Sequence, residues 1–446
     1  MLTTPLAIQV MMIMMTHHFR LLLIVLALTL STKASYILIP MDEDSQKDHL
    51  KAYGIAFWTL ENDQTVDWLL NYRGGSFLIE NKSELEKECV IRGVSYEIIT
   101  DAYKAKIQLE LANPESNTDI IKLEKAPKVA VYSPEGNLPW DDAVTMVLTY
   151  AEIPYDIIYD KEILDDLLPI YDWLHLHHED FTGQYGKFYA SFKNAPWYRE
   201  QKRNFEKDAT DLGYTKVAAQ KLAVALRIKE FLAGGGFLFA MCSATDSYDI
   251  ALAAAHTDIC EYMFDGDGRS PHAQQELDFS KSIAFKDFQL VSNPNIYEFS
   301  DIDVTRSRKV AKNQDFFTLF EFSAKWDPVP TMLCQNHSQI IPGFMGQTTA
   351  FNKTLIKPGV LIMGENKSAN EAKYIHGKLG KGMWTFYGGH DPEDYQHRVG
   401  DPPTELELHP NSTGYRLILN SSIFSQFSYF FWTHPNPFRK HRVDVF

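Results

Sequence analysis

Between Lys128 and Asp249 short apolar runs alternate with amphipathic stretches, and this alternation restricts the fold more than any other feature of the chain. The runs are Lys128–Tyr132, Tyr155–Tyr159, Asp172–His177 and Phe237–Met241. Between them lie helix-like segments at Trp140–Ala151, Ile163–Leu168 and Val217–Leu232, the last closing on Gly234-Gly235-Gly236, which supply a helix cap and a turn into the next strand. Strands alternating with helices predict a parallel sheet covered on both faces, with its site at the carboxyl ends of the strands. The expected fold is therefore α/β, a doubly wound, mostly parallel sheet of flavodoxin-like type.

A second α/β pattern precedes it. Tyr36–Pro40 and Val66–Leu70 bracket a helix-like segment Gln46–Leu60, and a helical stretch Ser83–Leu111 follows, which reads as a βαβ-like N-terminal α/β subdomain over 35–112. The polar run Asn113–Asp119 marks 113–127 as a linker. The main domain then spans 128–423, with a charged, aromatic lid at 181–210 and an insertion at 256–375. The aromatic-rich tail 424–446 shows no period and receives no function.

Arg20, the apolar run Leu21–Leu30, and the small residues Thr32 and Ala34 have the order of a signal peptide, with cleavage after Ala34. A run that short does not make a comfortable membrane span, so the expected product is periplasmic or secreted, with no stable membrane span after cleavage. The formal charge of −15 removes the basic footprint that phosphate backbones require, so nucleic acid is not an expected partner. Four widely spaced cysteines without a Cys-x-x-Cys pair argue against a structural zinc site and leave every disulfide pairing open.

Two constellations carry chemistry. Cys242 follows a short apolar strand and precedes polar, helix-starting residues, so it sits at a strand-to-helix elbow. There the sulfur is presented for attack while a helix N-terminus lowers the thiol pKa and offers N–H groups to a developing oxyanion. The alternative is a small buried thiol at a strand end. The other constellation is His175-Leu176-His177-His178-Glu179-Asp180, at the exit of a predicted strand. Strand alternation puts His175, His177 and Glu179 on one face, a ligand set for zinc or another divalent metal, which is the one candidate cofactor. The acidic turn Asp265-Gly266-Asp267-Gly268 departs from a calcium loop at Arg269 and Ser270 and reads as a solvated turn.

The helix, Gly-Gly-Gly turn, strand and "CSATDS" run, together with Gly380–Glu393 (GKGMWTFYGGHDPE), resemble the ThuA-like branch of the class I glutamine-amidotransferase-like superfamily. The resemblance covers about residues 128–423, and the whole chain looks like exported bacterial proteins labelled asparagine synthetase B. It implies a class I glutamine-amidotransferase-like core in which Cys242 is the nucleophile, His390 the base, and Glu393 or Asp391 the orienting carboxylate. Ser243, Thr245, Asp246 and His178 would then contact substrate. His390-Asp391-Pro392-Glu393 carries one residue more than the His-Pro-Glu turn of that superfamily. The ATP-dependent synthesis named by the label is not expected, since the chain has neither a Walker loop nor a Ser-Gly-Gly-x-Asp-Ser loop. The implied function is a Cys-dependent hydrolase acting on an amide-type carbonyl of a small-molecule or carbohydrate substrate. The alternatives are a non-catalytic ligand- or carbohydrate-binding protein and a metal-dependent sugar-modifying enzyme.

Overall fold

The computed structural model describes residues 36–134, 140–327 and 334–424. The signal-peptide segment 1–34 and the tail beyond residue 424 lie outside these described residues. Strands β1 (Tyr36–Ile39), β2 (Val66–Leu70), β3 (Ser76–Glu80), β4 (Glu97–Ile99) and β5 (Asp119–Leu123) form a five-stranded sheet in the order β4-β1-β3-β2-β5. Every pairing in it is antiparallel, which corrects the βαβ reading of this region. The cause is a tight reversal after β2, where Asn71, Arg73, Gly74 and Gly75 all take positive φ and return the chain as β3 between β1 and β2. Gly74 is required there, because a Cβ would lie 2.0 Å from the Met41 carbonyl oxygen. The expected linker contains an edge strand, β5, whose Ile121 and Leu123 face the core on either side of the exposed Lys122. The long helical stretch is two helices, Ser83–Arg92 and Asp101–Leu111, broken by Gly93 at φ 73° and by β4.

A ten-stranded sheet follows, built from β6 (Val129–Tyr132), β7 (Asp156–Ile158), β8 (Trp173–Leu176), β9 (Phe237–Met241), β10 (Phe316–Leu319), β11 (Ile340–Pro342), β12 (Phe351–Asn352), β13 (Leu361–Asn366), β14 (Glu371–Leu379) and β15 (Gly382–Tyr387). Its order is β11-β10-β13-β14-β15-β9-β8-β6-β7, with β12 beside β14. The block β15-β9-β8-β6-β7 is parallel, and the remaining pairings are antiparallel. The protein is thus α/β with mixed sheets, rather than mostly parallel. The segment expected as an insertion supplies β10–β14 and continues the sheet.

Burial explains why the parallel strands read as continuous apolar runs, since both faces are covered. Val129, Val131, Trp173, Phe237, Phe239 and Met241 pack on the side of helices Ala143–Tyr150 and Thr413–Phe424. Ala130, Tyr132, Leu174, Leu176, Leu238 and Ala240 pack on the side of helices Val217–Gly234 and Ser243–Ala253. The lid region folds onto this second side through helix Pro196–Asp211, with Tyr185, Tyr198, Phe205 and Phe264 as its own small core. Among the described residues no helix is long and apolar enough to cross a membrane.

The two sheets share one core, and their junction is a buried cation. Arg416, with no exposed surface, donates to the Tyr53 hydroxyl at 3.0 Å, to the Met41 carbonyl at 3.3 Å and to the Gly74 carbonyl, and contacts His337 Nδ1 at 2.9 Å. Carbonyl dipoles of the N-terminal sheet region thus solvate a charge carried by the C-terminal helix.

Candidate metal centre

Strand order reverses between β6 and β8, and such a reversal opens a crevice at the strands' carboxyl ends, because the loops leaving neighbouring strands diverge there. The loop after β6 delivers Asp141 and Asp142 to the start of helix Ala143–Tyr150. Asp142 is its N-cap, and Oδ1 accepts from the Val144 and Thr145 N–H groups at 2.8 and 2.9 Å. Strand β8 supplies His175 from within its last turn of pleat, and His177 and His178 follow. Beyond β15, Gly389 at φ 95° swings the chain so that His390 enters from the far side of β9, while a Cβ on Gly346 would lie 2.6 Å from the His390 nitrogen. His397 arrives on the irregular segment after it.

The backbone fixes the tautomers. His175 Nδ1 lies 3.1 Å from the Phe239 carbonyl oxygen, and His177 Nε2 lies 3.1 Å from the His390 carbonyl oxygen. A carbonyl only accepts, so in each neutral ring that nitrogen carries the hydrogen and the other is a bare lone pair. Both bare nitrogens face one carboxylate: His175 Nε2 is 3.6 Å from Asp142 Oδ1, and His177 Nδ1 is 3.3 Å from Asp142 Oδ2. Among the described residues neither nitrogen has a hydrogen-bond partner.

A similar arrangement stands beside it. His390 Nε2 and His397 Nε2 lie 3.5 and 3.4 Å from Asp141 Oδ1, and His397 Nδ1 is 3.1 Å from Asp394 Oδ2. The His177 and His390 rings stack at 4.4 Å, and His390 and His397 at 4.1 Å. His178 completes the cluster with both ring nitrogens buried and unpartnered. Three overlapping groups could hold a metal ion: Asp142, His175 and His177; His177, His178 and His390; Asp141, His390 and His397.

Burial opposes ionisation of the Asp142 carboxyl, but the positive charge that His177 and His175 carry when protonated overcomes it and holds the group well below the usual carboxylate range, so the position favours a cation. Asp141 is lowered in the same way against its burial, by His390, His397 and His177. Burial lowers His175 and His178 and brings His390 to about 4, so these imidazoles are neutral lone-pair donors at physiological pH. Glu179, expected as a third ligand, is in none of the three groups. It is 4.0 Å from His178, and burial raises its pKa to about 8 against the pull of Lys221. Lys221 itself is buried with Asp160 at 2.8 Å and bonded to the hydroxyls of Tyr132 and Tyr159.

Cys242 sits at the expected elbow with φ 52° and ψ −139°, a strained backbone for a residue with a side chain. The Ser243 and Gln347 N–H groups approach its sulfur, yet burial dominates and pushes the thiol up to about 12, correcting the expected depression. Among the described residues its sulfur makes no hydrogen bond to His390 or His177; the ionisable groups that interact with it include Asp246, Asp303, Tyr297 and Lys373. Neither expected carboxylate orients His390. Asp391 accepts from the Glu393 N–H and the Thr404 hydroxyl, and Glu393 pairs with His409 at 3.0 Å. Ser243, Thr245 and Asp246 are fully buried, Thr245 on the Cys242 carbonyl and Asp246 on the Thr348 hydroxyl, whereas His178 lies within the histidine cluster. Sequence reading missed Asp141, Asp142 and His397. The first two carry a signal, paired carboxylates at a helix start after the first parallel strand; His397 carries none.

No family model and no curated protein matches the chain. Among solved structures, it is similar to the cytoplasmic protein STM1381 from Salmonella typhimurium LT2 (TM-score 0.33, 11% identity, 65% of this chain and 99% of that one). It is similar also to the cytoplasmic protein STM3548 from Salmonella typhimurium (0.32, 10%, 67% and 98%). A third is Gan42B, a GH42 β-galactosidase from G. stearothermophilus (0.25, 11%, 60% and 28%). At these scores the likenesses define neither the fold nor the chemistry of this chain.

Proposed function

We propose that the protein is a divalent-metal-dependent hydrolase of a small molecule, built on a doubly wound, class I glutamine-amidotransferase-like core. The parallel block supports the core assignment, since β7-β6-β8-β9-β15 follows chain order 2-1-3-4-5, the flavodoxin-like order. One observation carries the metal: His175 and His177 both turn their N–H to backbone carbonyls, so two bare lone pairs converge on the ionised Asp142 with no proton between them. Acceptors in that arrangement are stabilised by a cation, and carbonyls that fix a ligating imidazole are the usual support of such a site. Two imidazoles and one carboxylate suit zinc, and three protein ligands leave a position for water or substrate. A bound ion would polarise the scissile bond and lower the pKa of a ligated water. Trp140, stacked on Phe188 and edge-on to His178 and Trp197, places aromatic surface beside the cluster, which would suit the apolar body of a substrate.

The test is elemental analysis of protein expressed with zinc, manganese, iron and cobalt supplied, followed by hydrolysis of a panel of activated amides and esters before and after chelation. Bound metal and chelator-sensitive turnover are expected. Protein that stays metal-free after incubation with each ion refutes the reading. A Cys242 hydrolase is the second reading, favoured by the strained elbow; it requires turnover that survives chelation and is lost in Cys242→Ser.

A further inference from the structure

We infer that the centre takes two divalent ions, the second held by Asp141 Oδ1, His390 Nε2 and His397 Nε2. The inference rests on the proposed function for the first ion and adds a site of its own. Its three side chains are each more than nine-tenths buried, with 9%, 6% and 6% of their surface exposed. Among the described residues, both Asp141 oxygens and both Nε2 atoms lack a hydrogen-bond partner. His397 Nδ1 lies 3.1 Å from Asp394 Oδ2, so in the neutral ring Nδ1 carries the hydrogen and Nε2 is a bare lone pair, fixed by a carboxylate as ligating histidines are.

One ion does not serve both sets. Asp142 already divides its oxygens between the helix N-cap and His177, and His177 turns Nε2 to the His390 carbonyl, so its remaining nitrogen, Nδ1, faces Asp142 at the first position. Asp141 turns its carboxylate to a different pair of rings. The stack of His177 on His390 at 4.4 Å makes the two positions neighbours. The donor set, nitrogen and carboxylate oxygen, suits zinc, manganese, cobalt or iron rather than calcium or magnesium.

Metal-free full-length protein titrated with zinc in a calorimeter should bind about two equivalents, and His397→Gln or Asp141→Asn should bind about one. Manganese-loaded protein should show exchange coupling between the ions, and His397→Gln should abolish that coupling while retaining one ion. One equivalent in the parent, kept by His397→Gln and lost by Asp142→Asn, overturns the second site and leaves the proposed function standing. One equivalent lost by His397→Gln and kept by Asp142→Asn overturns both the first position and the pair. No bound metal in the parent refutes the proposed function itself. The parent titration needs no variant, so misfolding of a variant does not protect the inference.

Discussion

Replacing Asp142 by Asn separates two duties that one side chain performs. Asp142 caps helix Ala143–Tyr150 through Oδ1, and an Asn oxygen caps about as well as Asp, so the change in cap costs only a few tenths of a kcal/mol. Loss of the negative charge at the helix N-terminus adds about 0.3–1 kcal/mol. Against these costs the Asn amide can donate to His177 Nδ1, which faces Asp142 Oδ2 at 3.3 Å, so the metal-free variant should lie within roughly 1 kcal/mol of the metal-free parent. Metal binding should fall much further. Loss of a partner that merely orients a ligand costs about 10–100-fold in affinity, so loss of an anionic ligand should cost at least about 100-fold, or about 2.7 kcal/mol. Asp142→Ala removes cap and ligand together, and should lose about 0.5–2 kcal/mol of metal-free stability as well. The assay is a zinc titration against a competing chelator, with thermal melts in zinc and in excess chelator. Parent and Asn variant should melt close together in chelator and apart in zinc, because only binding to the native state raises the midpoint. An Asn variant that binds zinc as tightly as the parent refutes the ligand assignment, and one that melts far below the parent in chelator refutes the separation of duties.

Three further outcomes are expected. His376 is buried in β14 on the Thr385 hydroxyl, and burial takes it from 6.5 to about 3, so the folded protein binds fewer protons there than the unfolded chain. Its contribution is complete above pH 6.5 and is lost as pH falls, so between pH ~7 and ~5 the parent should lose about 2 kcal/mol more than His376→Gln in urea unfolding; equal losses contradict this. Cys242, pushed up to about 12, should alkylate with iodoacetamide at neutral pH more than about 1,000-fold slower in native than in unfolded protein, and fast native labelling would contradict that burial. Lys221→Met strands the buried Asp160 and should cost about 3–5 kcal/mol in urea unfolding, with most of the loss recovered by adding Asp160→Asn; no recovery in the double variant contradicts the pairing.

The central parallel strands were legible because they are buried on both faces and read as apolar runs, as in Phe237–Met241; only the edge strand β7 exposes residues, Asp156 and Ile157. The antiparallel strands were not. Sheet β1–β5 depends on a reversal at 71–75 that contains only two glycines, and β5 shows its alternation over five residues inside a polar stretch. At the site, His175 and His177 stood out because imidazoles are conspicuous at the end of an apolar strand. Glu179 shares their parity along the chain but follows the end of β8, where strand alternation no longer governs direction. The partners of these rings come from elements far away in sequence, His390 lying 213 residues from His177, and no local pattern announces that distance. The thiol misled through competition between two effects: the elbow geometry formed as expected, but desolvation outweighs the N–H groups at the helix start.

The Arg416 junction bears on when this chain can finish folding. Arg416 meets Tyr53 and Met41 across 363 and 375 residues, so the acceptors for its charge are synthesised first and the charge itself near the end. Until helix Thr413–Phe424 emerges, the N-terminal sheet lacks the apolar surface of Leu417, Ile418 and Leu419 that closes its side of the core. Contacts of such sequence separation form late and slowly, because chain closure precedes any gain from them. The first sheet must therefore wait, incompletely covered and open to association with other chains, while the rest is made. Truncation from the C-terminal end into this helix should yield an aggregating product rather than a smaller folded one, and a holding chaperone would act on the earliest part of the chain.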